Sequence, residues 1–418
     1  MRFPAAFLVS IVSLLGQART THEVFRAEAA AAHERKDYTA AREAMLAALA
    51  LLPDSPHYLH HLAALSALLN DRDAALGYLH QIASLGVAPR IERDSDLAAL
   101  QGTPEFMRVL HTFEANRAPR GEGEIVAELP GRTGVIEGIA FRERTGDLFL
   151  GDVHHRCIWR RDRDGRVARY TVEDDELLGV FALALDEPRN TLWAAMSAVP
   201  EMLGYEAGMK GQAALAEFDL STSELRRVIP VPADGRDHGL SDLTVAPDGT
   251  VYATDTKSPV IWLLAPDAEE LQKAADSPVF GSLQGIVLEK RLLLVADHMN
   301  GLFTVEVATG NITALSPPRN VTLVGLDGIV VVPGGIVAVQ NGVEPQRIVR
   351  VTLSSGLDAI TGVEVIAAAL PNLTDLSLIT MANDRPTVVA GAGWAGLERA
   401  GTRPPAPHAV RIFQLTLP

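Results

Sequence analysis

The sequence predicts a multidomain chain of α plus all-β class: N-terminal helical-hairpin repeats followed by a six-bladed β-propeller. Three observations lead there. Residues 21–117 are rich in Ala and Leu and repeat at an interval of 34 residues. Beyond residue 124 the apolar pattern changes to short alternating runs broken by Asp-Gly, Pro-Gly, Thr-Gly and Asn-Gly turns. Within that region a single block of sequence recurs six times over about 295 residues, close to one four-stranded blade per copy.

The chain begins with Arg2, an apolar run from Phe3 to Leu15, and the small residues of Gly16-Gln17-Ala18. That order is the pattern of a secretory signal peptide. Residues 1–18 are therefore expected to be a leader, and the mature protein to be periplasmic or secreted. The run is shorter than the roughly 20 residues a spanning helix needs, and no membrane span is expected once the leader is removed. Cys157 is the one cysteine, so no intrachain disulfide can form, and a buried, inert thiol is expected. The 52 acidic residues outnumber the 37 basic ones, for a net charge of -15. This balance excludes the basic footprint of a nucleic-acid surface.

Residues 21–117 carry apolar side chains at helical spacing, as in Ala41, Met45, Leu46, Leu49 and Leu59, Leu62, Leu65, Leu69. Asp37 and Asp71, Ala41 and Ala75, and Met45 and Leu79 are each 34 apart. With small residues where paired helices approach and Pro53 ending a helix, the segment resembles the tetratricopeptide helix-turn-helix unit. That resemblance implies a concave face for a peptide or protein partner; packing against the propeller is the alternative. Thr103 is expected to cap a closing helix that begins at Pro104. His57, His60 and His61 gather at one helix start, as metal ligands or as solvated surface. The linker, residues 118–123, lies within the Pro/Gly/charged stretch "NRAPRGEGE".

From 124 to 418 the recurring block is a polar residue, an alternating strand, a turn and a second strand. Its copies are "EGIAFRERTGDLFLGDV" (137–153), "SDLTVAPDGTVYATDT" (241–256), "QGIVLEKRLLLVADH" (284–298) and "DGIVVVPGGIVAVQN" (327–341), with looser ones at 178–196 and 375–394. The stretch 202–214 reads as a surface insertion. The first strand of a propeller blade lines the central channel, so the residues that open the blocks should converge. Glu137, Asp242, Gln284, Asp327 and Asp375 are taken as equivalent, and four of these five are carboxylates. Like charges in a narrow channel repel, and a divalent cation relieves that repulsion with oxygen ligands. Hydrogen-bond capping between blades is the alternative.

The propeller half resembles the SMP-30/gluconolactonase/LRE-like group, in Glu137-Gly138, Ser241-Asp242-Leu243, Gln284-Gly285-Ile286 and Asp327-Gly328. The resemblance implies a metal site of Glu137, Ser241, Gln284 and Asp327, with Ca²⁺ the expected cation. Ser241 and Gln284 stand where the family has Asn. It further implies a hydrolase of lactones or related esters, with a small-molecule lactone or ester as substrate. Asp327 and His298 are then the expected catalytic residues, and Asn341, Asp242 and His238 the expected substrate contacts. His154 and His155 occupy the corresponding loop of the first block. Departures at Ser241 and Gln284 support the alternative, a non-catalytic binding or scaffold protein using both modules.

Overall fold

The structure is a computed structural model that describes residues 21–131, 133–172, 176–394, 396 and 409–417. The expected leader, residues 1–18, lies outside them. Five α-helices come first: α1 Thr21–Glu34, α2 Tyr38–Leu51, α3 Pro56–Leu68, α4 Arg72–Ser84 and α5 Pro104–Asn116. Their starts follow from capping chemistry. Asp37, Ser55, Asp71 and Thr103 each accept a hydrogen bond from the backbone N–H three residues on, at the free end of a helix. α1 and α2 form one hairpin and α3 and α4 the next. Lys36 and Asn70, 34 residues apart, turn the two hairpins in the same left-handed conformation. Ala29, Ala32, Ala41 and Ala48 let α1 and α2 approach closely, while Leu59, Leu79, Ile82, Phe106 and Phe113 fill the space between α3, α4 and α5.

Six four-stranded antiparallel sheets follow as blades. Their innermost strands are Ile136–Arg142, Gly179–Asp186, Leu240–Val245, Leu283–Glu289, Leu326–Val332 and Ile379–Ala382, in blades 1 to 6. Each packs against the next, and blade 6 against blade 1, which closes the ring. The N-terminal strand Gly123–Glu128 supplies the outer edge of blade 6 by pairing with Arg411–Leu415. Interleaved strands from the two ends of the propeller thus latch it. The expected linker is pinned down: Arg120 exchanges two backbone hydrogen bonds with Ala368 of blade 5. Gly121 passes so close that a Cβ would lie 1.9 Å from Ile366 O. The expected insertion at 202–214 is a loop only as far as Gln212, because Ala213 and Ala214 open the third strand of blade 2.

Three aspartates repeat at the end of the second strand. Asp152, Asp255 and Asp297 are fully buried and gather loop N–H groups on both sides of the strand. Asp152 and Asp255 also accept the indole N–H of Trp159 and Trp262. They satisfy the backbone donors of the blade loops, a demand that burial makes obligatory. Cys157 is buried and forms no disulfide.

Candidate active site

The ladder of each of the first five blades breaks at the start of its innermost strand. In blade 1 the register slips between Ile136 and Ile139, in blade 3 between Leu240 and Leu243, in blade 4 between Leu283 and Ile286, and in blade 5 between Leu326 and Ile329. Two residues per strand are left outside the regular pairing, as in a β-bulge, which re-aims side chains. These pairs are Glu137-Gly138, Ser241-Asp242, Gln284-Gly285 and Asp327-Gly328. Blade 2 slips between Val180 and Ala182, which leaves Phe181 alone outside the pairing.

This register corrects the expected equivalence. Glu137, Ser241, Gln284 and Asp327 share one position, and Asp242 shares the next with Gly138, Gly285 and Gly328. Blade 6 places Ser377, two residues before Ile379, where Asp375 was expected. Ser377 Oγ donates to Glu137 O at 2.8 Å, while Asp375 holds the Gly393 N–H at 2.7 Å from the loop before the strand. The same two-residue bulge recurs in blades 1, 3, 4 and 5, so Asp242 lies one residue past the position shared with Glu137, and Asp375 lies two residues before its blade 6 counterpart.

The second bulge residue faces the neighbouring blade. A Cβ at Gly285 would lie 2.5 Å from Asp327 O, and one at Gly328 2.9 Å from Leu378 Cδ2. Asp242 points the same way: its carboxylate accepts Ile286 N–H of blade 4 at 3.0 Å and Leu243 N–H at 2.8 Å. Ser241 Oγ is buried in the same seam, donating to Leu283 O at 2.9 Å beside Thr254. Gln284 turns its amide nitrogen to Thr256 Oγ1 at 3.1 Å.

Asp327 is buried and Glu137 half-buried, and the Asp327 charge acts on Glu137. Burial holds the Glu137 carboxyl well above the usual carboxylate range, and the charges of Asp327, Asp375 and Asp242 push it further; the Trp394 indole N–H, bonded to Glu137 Oε2, pulls the other way. Burial also raises Asp327, against the His298 imidazole and the Asn341 amide. Asp242 is pushed up to about 7, by burial first and then by Asp327. Burial and nearby charge thus raise three carboxyls, with Glu137 and Asp327 at the shared register position and Asp242 in the seam next to it.

Asn341 completes the arrangement. Its Nδ2 donates to Asp327 Oδ2 and to Leu376 O. Both partners are acceptors, which fixes the amide orientation and leaves Oδ1 turned away, buried without a hydrogen-bond partner. A buried acceptor of this kind costs free energy unless something positive meets it. His298 ends the second strand of blade 4 in the position that Asn341 takes in blade 5, each one residue past Asp297 and Gln340. A Cβ on Gly342 would meet its Nε2 at 2.5 Å, so the imidazole packs against the backbone that follows Asn341.

Beside Glu137 stands an apolar wall of Val135, Val153, Val199, Phe181 and Trp394. Phe181 and Trp394 approach with ring centroids 6.1 Å apart. Neither aromatic residue was expected at the site. The signal was available for Phe181, which fills the block position held by Gly138 in blade 1.

His238 does not join this group. Its Nδ1 lies 2.7 Å from Asp255 and its Nε2 3.0 Å from Asp234, so both ring nitrogens are committed to carboxylates under the blade 3 loop. Burial pushes its pKa down, and the two carboxylates more than reverse this, so it is raised. His154 and His155 are likewise held in their loop, by Glu201 O and Asp152. On α3, His57 and His61 face one another at 3.1 Å and His60 pairs with Asp94 at 2.8 Å. Among the described residues no three His, Cys, Asp or Glu side chains converge as a metal-holding group. Oxygen donors at the channel would therefore be two carboxylates, Glu137 and Asp327, with neutral oxygens such as Asn341 Oδ1. That set is all oxygen and carries excess negative charge, which suits Ca²⁺ or another hard cation.

The fold and site define a helical-hairpin module joined to a six-bladed propeller with an acidic channel end. No protein-family model and no curated protein matches the sequence. Among solved structures the chain is similar to a gluconolactonase from Xanthomonas campestris, with a TM-score of 0.48 and 16% identity over 72% of this chain and 92% of that one. It is also similar to a luciferin-regenerating enzyme, at 0.49 and 14% over 72% and 96%. Virginiamycin B lyase from Staphylococcus aureus gives 0.48 and 13% over 71% and 100%. These structural neighbours include gluconolactonase-like six-bladed propellers.

Proposed function

We propose that the protein is a divalent-cation-dependent hydrolase of lactones or related esters, exported to the periplasm or beyond. The observation that supports this reading is the buried Asn341 Oδ1, which has no hydrogen-bond partner, on a residue whose amide nitrogen bonds Asp327, with the half-buried Glu137 in electrostatic contact with Asp327. Each is an oxygen donor, and together they lack only positive charge. Glu137, Asp327 and Asn341 would hold the cation. A bound cation of this kind polarises a carbonyl and stabilises the oxyanion that develops on it.

The remaining chemistry falls to the chain. Phe181 and Trp394 offer an apolar surface to the carbon skeleton of the substrate next to Glu137. Asp327 and His298 are the groups able to take a proton from water as its oxygen adds to the carbonyl carbon. When the carbon–oxygen bond to the leaving group breaks, that proton passes to the departing oxygen, leaving an acid and an alcohol. Export rests on the leader pattern; among the described residues no helix is long and apolar enough to cross a membrane.

The test is calcium titration of the purified protein together with turnover of a panel of aldonolactones and aryl esters, with and without chelator. Binding and chelator-sensitive turnover, both lost in Asp327→Ala, are the expected results. Binding without turnover would instead support a second reading, a binding protein that keeps a structural cation. The use of Ser241 Oγ and of the Gln284 amide nitrogen in contacts around the blade 3–blade 4 seam favours that reading. A peptide held by the helical module would belong to it.

A further inference from the structure

Glu137 and Asp327 are carried by strands, but His298 and Asn341 each lie one residue beyond the last paired residue of a strand. The propeller itself holds part of their backbone: His298 N–H donates to Ser282 O at 2.8 Å, and the N–H groups of Met299 and Asn300 donate to Asp297. The outer faces of the loops 298–301 and 341–346 rest on the helical module. In the first, Asn300 Oδ1 meets His22 Nε2 of α1 at 2.6 Å, and the other nitrogen of His22 meets Tyr58 OH of α3 at 2.6 Å. In the second, Val343 is buried in the apolar core of α3, α4 and α5. Glu344 O accepts Ala88 N–H at 2.6 Å. The two loops are also stitched to each other, since Gly325 donates to His298 O and accepts from Gly342 N–H.

Arg347 closes the second loop. It is 4% exposed. Its Nε donates to Gln340 Oε1 at 2.7 Å, and its Nη1 donates to Leu85 O at 3.3 Å and Gly86 O at 3.1 Å. Those carbonyls follow the C-terminus of α4, the negative end of its dipole, which compensates a buried cation. Gln340, held by Arg347, immediately precedes Asn341.

We propose that the helical module is a working part of the propeller site: by gripping the loops 298–301 and 341–346 it sets where His298 and Asn341 stand against Asp327, with Arg347 as the positioning residue. This rests on reading Asp327 as the centre of the site. A ligand that shifts the helical module would then alter the site without touching it.

The experiment is hydrogen exchange on the full chain, followed by calcium titration, for the wild type, Arg347→Gln, Arg347→Lys and His22→Ala. Arg347→Gln is expected to speed exchange across 341–346 about tenfold or more while blade 2 stays unchanged. Calcium affinity should fall about tenfold with it. Arg347→Lys keeps a donor for the α4 carbonyls and should restore part of both. His22→Ala should loosen 298–301. Unchanged exchange in both loops, or a rise shared equally by all blades, would overturn the proposal. A wild type that binds no calcium would sink the cation reading alone, because the exchange pattern still decides this one.

Discussion

A buried carboxyl beside others of its kind keeps its proton until a cation takes that place. Asp242, pushed up to about 7, titrates far above its unfolded value. Between about pH 4 and pH 7 the native state then binds more protons than the unfolded chain, so without cation the protein loses stability as pH rises through this window. Glu137 and Asp327, also raised, add in the same direction. Added calcium should therefore raise the melting temperature more at about pH 8 than at about pH 5, where protons compete for the same oxygens. Equal shifts at both values in thermal melts would contradict the assignment. Asn341→Ala removes the unpartnered oxygen and the bond to Asp327 together, and calcium affinity is expected to fall about 10- to 100-fold by titration calorimetry. Asp255→Ala would strand the buried N–H groups of its loop and the His238 ring, at a cost of about 3 kcal/mol in denaturant unfolding.

At the scale of single elements, the bulge decides which side chains meet. It places Glu137 and Asp327 at one register position and makes the next one a seam between blades. Glycine is required where that seam is tightest. Gly285→Ala would drive a methyl group into Asp327 O and Ile329 N, and neither backbone atom can yield cheaply. A loss of about 1–3 kcal/mol is expected, with weaker calcium binding because Asp327 moves. Gly77, inside α4 with nothing within 4 Å of where a Cβ would stand, is the control. Gly77→Ala should stabilise the chain by about 0.5–1 kcal/mol. Helix starts and strand alternation were legible in the sequence, since capping residues and period-two runs act locally. The bulge was not, because a slipped register depends on the partner strand; only the pairing shows that Ser241 and Ser377, rather than Asp242 and Asp375, are the counterparts of Glu137.

Across the whole molecule, the ring is held by the pairing of Gly123–Glu128 with Arg411–Leu415. The segment that latches blade 6 is the one that leaves the helical module, so both ends of the propeller meet beside the module's linker. Removing residues 411–418 would expose two bare strand edges. The expected outcome is loss of the cooperative unfolding transition and of near-ultraviolet circular dichroism, and a truncated chain that melted cooperatively at the wild-type temperature would refute the latch.

The sequence by itself determined the two-module architecture, the six blades and the carboxylates at 137 and 327, because periodicity, turn chemistry and repeated blocks are local properties written along the chain. Tertiary structure alone decided that His238 is spent on Asp255 and Asp234. It also decided that Phe181 and Trp394 wall the site, and that Asn341 keeps one oxygen unsatisfied. Those facts depend on which groups meet across blades and modules, and contacts between residues more than 200 positions apart, such as Trp394 with Glu137, leave no local trace.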